Sequence, residues 1–104
     1  MQYVYVLKPV RAEMALHRPT QEEEAIVEEH LRYQEELNRR GVVLLAGHTT
    51  TEDDTAFAMC VIEAPSEPVA RDIMNKDPAV WRGVMTGEIY PFRVTMMAET
   101  ALQS

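Results

Sequence analysis

No apolar run in this chain approaches the roughly 20 residues that a membrane-spanning helix needs. The opening stretch, Met-Gln-Tyr-Val-Tyr-Val-Leu, carries no basic leader and reads as a strand rather than a signal peptide. Cysteine is nearly absent. Cys60 stands alone, which excludes an intrachain disulfide and a cysteine-built metal cluster, and its place inside a strand predicts burial rather than reactivity. Basic residues are scarce too: 10 Lys and Arg face 17 Asp and Glu, a formal charge of -7. Binding to nucleic acid and to anionic membranes rests on cations that neutralise phosphates, so neither is an expected partner. The three histidines show no His-Glu-x-x-His spacing, and no metal is expected. Glycine-rich phosphate loops and nucleophile elbows are missing, which counts against nucleotide enzymes and serine hydrolases. Together these absences predict a cytoplasmic protein that works without a cofactor.

What remains is an ordinary globular composition, 46% hydrophobic and 26% charged, in a length that fits one domain. Residues 3–8 are rich in β-branched and aromatic side chains and predict a first strand that stops at Pro9. Residues 9–19 show no period and read as a loop, with a short turn around Glu13–Leu16. Thr20 followed by Glu23 is a capping-box pattern, and it opens the longest helix, about residues 21–40. At about 100° per residue, Ile26, Val27, His30, Tyr33, Gln34 and Leu37 share one face. Gly41 ends that helix.

Residues 42–48 predict a buried strand, Thr49–Asp54 a polar turn, and residues 55–63 the returning arm of a hairpin. Ser66 caps a second helix, about 67–76, with Val69, Ala70, Ile73 and Met74 as its inner positions. Asp77-Pro78 breaks it. Gly83 and Gly87 then bracket a link to a last strand at about 88–97, and residues 98–104 form a fraying tail. The order β, α, β, β, α, β predicts a ferredoxin-like α+β domain over residues 1–97. Its four-stranded antiparallel sheet carries both helices on one face. The bare face predicts pairing with a second copy, a homodimer, because a core this small gains from cover.

His30 is the residue that packing does not explain, since it occupies the centre of an apolar stripe where Leu or Ile would serve. Two readings stay open. It is either a core histidine with satisfied ring nitrogens or a general acid/base, because imidazole titrates nearest neutrality. The second reading needs a carboxylate to orient the ring, and Asp77 is the candidate. Asp77 also has a local explanation, as the residue that closes one helix and starts a turn.

The run His30-Leu31-Arg32-Tyr33, then Leu37, then Gly41-Val42-Val43-Leu44-Leu45-Ala46-Gly47, resembles the signature of the YCII-related (YciI-like) family. Ala70, Asp77-Pro78, Gly83 and Tyr90-Pro91-Phe92 follow in matching order, so the resemblance spans about residues 3–95. It implies a dimeric α+β barrel, the superfamily that also holds muconolactone isomerases, with His30 and Asp77 as a catalytic pair in a cleft. It further implies lyase- or isomerase-type proton chemistry on a small, anionic organic ligand. The chain departs from the pattern in a longer segment at 9–19 and in His48, which stands where the family usually has proline.

Four further residues are substrate-binding candidates. Arg11 and Arg18 would grip a carboxylate with a two-pronged guanidinium, although most surface arginines do nothing of the kind. His48 is either a second cleft group or an exposed turn residue. Trp81 either walls the pocket or plugs the core or dimer seam. The alternative from another class is a non-catalytic binding or accessory dimer in which the His–Asp pair is structural.

Overall fold

The computed structural model describes residues 1–15 and 18–98. Eight elements follow in order: β1 (Gln2–Pro9), α1 (Ala12–Ala15), α2 (Gln21–Arg39), β2 (Val43–His48), β3 (Ala58–Glu63), α3 (Glu67–Asn75), α4 (Pro78–Trp81) and β4 (Met85–Phe92). The strands lie in the order β2-β3-β1-β4, and each neighbouring pair is antiparallel. This is the expected ferredoxin-like arrangement. The hairpin β2–β3 places β3, rather than β2, beside β1. None of the described helices is long and apolar enough to cross a membrane.

Alternation decides what each strand buries. Tyr3, Tyr5 and Leu7 of β1 point to the helix layer, as do Cys60 and Ile62 of β3 and Ile89 of β4. From above, Leu37 of α2, Ala70 and Met74 of α3, and Ala79 of α4 close onto them. Each fully buried aliphatic side chain in this layer, such as Leu7 or Ile62, contributes about 1.5–3 kcal/mol. The Tyr33 hydroxyl donates to the Ile73 carbonyl at 2.7 Å and ties α2 to α3.

The capping box is present as read. The Thr20 hydroxyl accepts from Glu23 N–H at 3.1 Å, while the Glu23 carboxylate accepts from Thr20 N–H at 2.8 Å. Gly41 ends α2 at φ 77, where only glycine is unstrained.

Five expectations need correction. Strand β2 is an edge strand whose Leu45 to His48 are exposed, because β3 takes the central place beside β1. Val69 is 41% exposed on the outer side of α3. After Asp77 the chain makes one more helical turn, α4, because Pro at its first position needs no hydrogen bond and Asp77 caps it. The turn expected in the 9–19 loop is the short helix α1, although Leu16 lies outside the described residues. Finally, β4 starts earlier and ends sooner than 88–97, so Gly87 sits inside a strand. A Cβ there would meet Met74 Sδ at 2.8 Å and Leu7 Cδ2 at 3.2 Å, so this glycine serves close packing and not a turn. The expected tail lies outside the described residues from 99 onward.

Candidate functional site

His30 and Asp77 are 47 positions apart in sequence, yet His30 Nδ1 lies 2.7 Å from Asp77 Oδ1 and 2.8 Å from Oδ2. The contact forms because α2 and α4 pack together over β1. Asp77 is completely buried and His30 is 6% exposed. The carboxylate takes two further donors: Ala79 N–H reaches Oδ1 at 3.0 Å, and the Tyr5 hydroxyl reaches Oδ2 at 2.9 Å. Ala79 N–H and the Tyr5 hydroxyl are donors, so Asp77 is placed to accept from three elements at once.

An ionised carboxylate only accepts, so facing one His30 Nδ1 carries a hydrogen, and in the neutral ring of that tautomer Nε2 holds the lone pair. Burial first, then the nearby Cys60 and Asp77, hold the Tyr5 hydroxyl far above its ordinary range, so it remains a donor. The Tyr5 oxygen in turn accepts from Gln34 Nε2 at 3.1 Å. Cys60, beside it, is pushed up to about 12 by burial and is a packed thiol.

His30 Nε2 has no protein partner, yet among the described residues no fully enclosed side-chain nitrogen or oxygen lacks one. The nitrogen therefore opens onto the cleft that His30 lines. This cleft, about 570 Å³, lies at the end of the sheet between α2 and the β2–β3 loop. Leu7, Val27, Leu31, Phe57 and Met85 form its apolar wall, and Gln34, His48 and the Thr49–Thr51 run its polar side. An apolar hollow with a few convergent polar groups is the usual form of a small-molecule site.

His48 reaches the cleft through an irregularity in β2. Val43 pairs with Ile62, but Leu45 pairs with Val61, so one extra residue bulges between them. An unbroken register from Val43 would turn Leu45 and Gly47 inward; the bulge turns Ala46 and His48 to the helix side instead. His48 is both exposed and a cleft residue. Its Nδ1 donates to the Thr49 carbonyl at 2.8 Å, which leaves Nε2 as an acceptor when the ring is neutral.

The other candidates lie elsewhere. Arg11 is engaged by Glu23, with Nε and Nη2 donating to the carboxylate at 3.0 and 2.6 Å, and Nη2 also donates to the Arg18 carbonyl at 2.7 Å. It pins the segment before α2, which includes the cleft residue Met14. The Arg18 side chain is exposed and does not line the cleft. Trp81 is 60% exposed at the end of α4, where the Arg82 guanidinium sits 4.9 Å above its ring. Among the described residues no Lys or Arg lines the cleft, so the expected carboxylate grip is not built there.

Arg11 has a measurable consequence all the same. Its hydrogen bond holds the Glu23 carboxyl at about 2, below its ordinary 4.5. A depressed carboxyl stabilises the fold above its unfolded value, and that gain is lost as pH falls. Arg11→Ala is therefore expected to flatten the acid stability limb between about pH 4.5 and pH 2, as followed by urea denaturation. The guanidinium is 39% exposed, so solvent screening keeps the difference small. An acid limb identical to that of the unmodified protein would show the pair to be inert.

Two residues of the network, Tyr5 and Gln34, escaped the sequence reading as site residues. Tyr5 looked like any inward strand aromatic. Gln34 did leave a signal, as the second polar residue in the stripe that holds His30, four positions along.

A family model, the YCII-related domain, matches residues 1–93. Among solved structures, a similar one is 5-chloro-2-hydroxyhydroquinone dehydrochlorinase from Burkholderia phenoliruptrix in complex with 2,5-dihydroxybenzoquinone. It has a TM-score of 0.67 and 19% identity, and covers 89% of this chain and 94% of that one, a likeness of fold. No curated protein matches the chain. With the family model extending over most of its length, the chain belongs to the YCII-related domain family.

Proposed function

We propose that this protein is a small-molecule enzyme of the lyase type, in which His30 moves protons and Asp77 fixes its tautomer and stabilises its cation. One observation carries this reading: Nδ1 is closed on a buried carboxylate while Nε2 opens onto an apolar cleft. A purely structural pair has no need of the second feature. The dehydrochlorinase with the same fold acts on a hydroxylated ring, and a cleft without Lys or Arg suits a neutral hydroxylated ring better than a carboxylic acid.

Elimination of hydrogen chloride from a chlorinated hydroquinone needs only such a base. The imidazole takes a hydroxyl proton from oxygen and returns it to the chlorine-bearing carbon. Loss of the second hydroxyl proton then expels chloride with the C–Cl electron pair, leaving a quinone. Atoms and electrons balance as loss of HCl, so the ring is oxidised with no external acceptor and no cofactor is required. The direct test is chloride release from chlorohydroquinone, read with an ion-selective electrode. No release from this or any chlorinated dihydroxybenzene would end the lyase reading.

The working form on this reading is a homodimer joined through the outer sheet face, where Leu45, Tyr90 and Phe92 are 37%, 46% and 42% exposed. Val4 and Val61 lie between them on the same side and are already buried within the chain. Sedimentation is expected to give twice the chain mass, and the mass of one chain at micromolar concentration would refute this. A reducing cytoplasm suits the single buried thiol.

A further inference from the structure

The hydrogen-bond chain behind His30 has a second outlet into the cleft. The Tyr5 hydroxyl donates its proton to Asp77 Oδ2 at 2.9 Å. The Tyr5 oxygen is then able only to accept, so Gln34 must present its amide NH2. That choice settles the orientation of the amide and directs Oε1 away from Tyr5. Gln34 is half-buried and lines the cleft, its Oε1 has no protein partner, and no enclosed polar atom among the described residues is unpartnered. Gln34 thus brings to the cleft wall an amide whose oxygen is neither enclosed nor bonded within the protein.

His30 and Gln34 stand at i and i+4 on α2, so their side chains rise from one face with Cβ atoms roughly 5–6 Å apart. Both present acceptors: the lone pair of Nε2 and the lone pairs of Oε1. A single hydroxyl satisfies one of them. Two hydroxyls on one small ring satisfy both, and an acceptor-only ligand satisfies neither.

We propose that Gln34 determines specificity by accepting a second ligand hydroxyl, and that the cleft selects dihydroxylated rings over monohydroxylated ones. Tyr5 is a positioning residue that acts through Gln34 and Asp77. This rests on the acid/base reading of His30 and adds to it the identity of the second recognition point. A neutral hydrogen bond of ordinary strength corresponds to a preference of about tenfold.

The probes are 4-nitrophenol, with one hydroxyl, and 4-nitrocatechol and 4-nitroresorcinol, with two at different spacings. Their ionised forms absorb in the visible, so one titration gives both affinity and proton transfer. In the unmodified protein at least one dihydroxy probe is expected to bind about tenfold more tightly than 4-nitrophenol, with the ionised band developing on binding. In Gln34→Met that preference falls to near unity, while 4-nitrophenol affinity and the ionised band persist. Besides Oε1 the substitution removes one N–H, which the Tyr5 oxygen can replace with water, and a melting curve checks that the fold is kept.

A preference missing from the unmodified protein, or surviving in Gln34→Met, would overturn the inference. In that case a persisting ionised band leaves the reading of His30 standing. Probes that bind without ionising would count against His30 alone, and the affinity ratio would still decide for or against Gln34. A protein that binds none of the three loses both.

Discussion

His30→Gln keeps the fold and loses turnover. Glutamine retains an N–H that can reach Asp77, so the buried carboxylate keeps three donors and the cost in stability is about 1 kcal/mol. It cannot take up a proton near neutral pH, however, and removing a positioned acid/base typically lowers the rate by about 10²–10⁴-fold. Chloride release under saturating chlorohydroquinone should fall by that factor, with the melting temperature shifted only a few degrees. The opposite pattern, a large loss of stability with turnover intact, would make the pair structural and turn the protein into a binding or accessory domain.

Asp77 is expected to behave differently, because it serves the fold and the site together. It is completely buried and accepts from His30, Tyr5 and Ala79, which belong to α2, β1 and α4. Asp77→Ala strips the acceptor from three donors at once and uncaps α4, and breaking a buried pair of this kind costs about 3–5 kcal/mol. Urea denaturation should show that loss, and a change below about 1 kcal/mol would mean that water replaces the carboxylate without penalty. Asp77→Asn isolates the chemistry. Its oxygen still caps Ala79, but its NH2 replaces the oxygen shared by Tyr5 and His30, and facing Nδ1 it drives the imidazole proton to Nε2. The site then lacks a base although the ring is in place, and the rate should fall by about 10⁴-fold in a folded protein.

The reach of the sequence is clearest where one residue decides one feature. Thr20 and Glu23 set the start of α2, and Gly41 its end, because capping and positive φ are local matters of backbone hydrogen bonding and sterics. The stripe on α2 identified His30, and a polar residue in an apolar face stands out without coordinates. Asp77 entered as the carboxylate that such a ring needs, with the resemblance adding to it, and its local explanation holds as well: it is both the cap of α4 and the partner of His30. Where one residue has two roles, a linear reading sees the nearer one.

Arg11 and Trp81 show the limit from the other side. Residue type suggested a carboxylate grip and a pocket wall, but Glu23 occupies the guanidinium and α4 points the indole outward. The continuous apolar run of β2 likewise suggested a buried strand, because hydrophobicity alone does not tell a central strand from an edge.

By itself, then, the sequence determined the four strands and two long helices, the ferredoxin-like order and the one histidine that packing could not explain, since propensity, capping and periodicity act over a few residues. Only the tertiary structure decided that His30, Tyr5 and Ala79 converge on Asp77, that a one-residue bulge turns His48 to the helix side, and that Gln34 bonds Tyr5 at the wall of the cleft. Each of these depends on contacts between distant segments, where a shift of one residue or one proton reverses what the site presents.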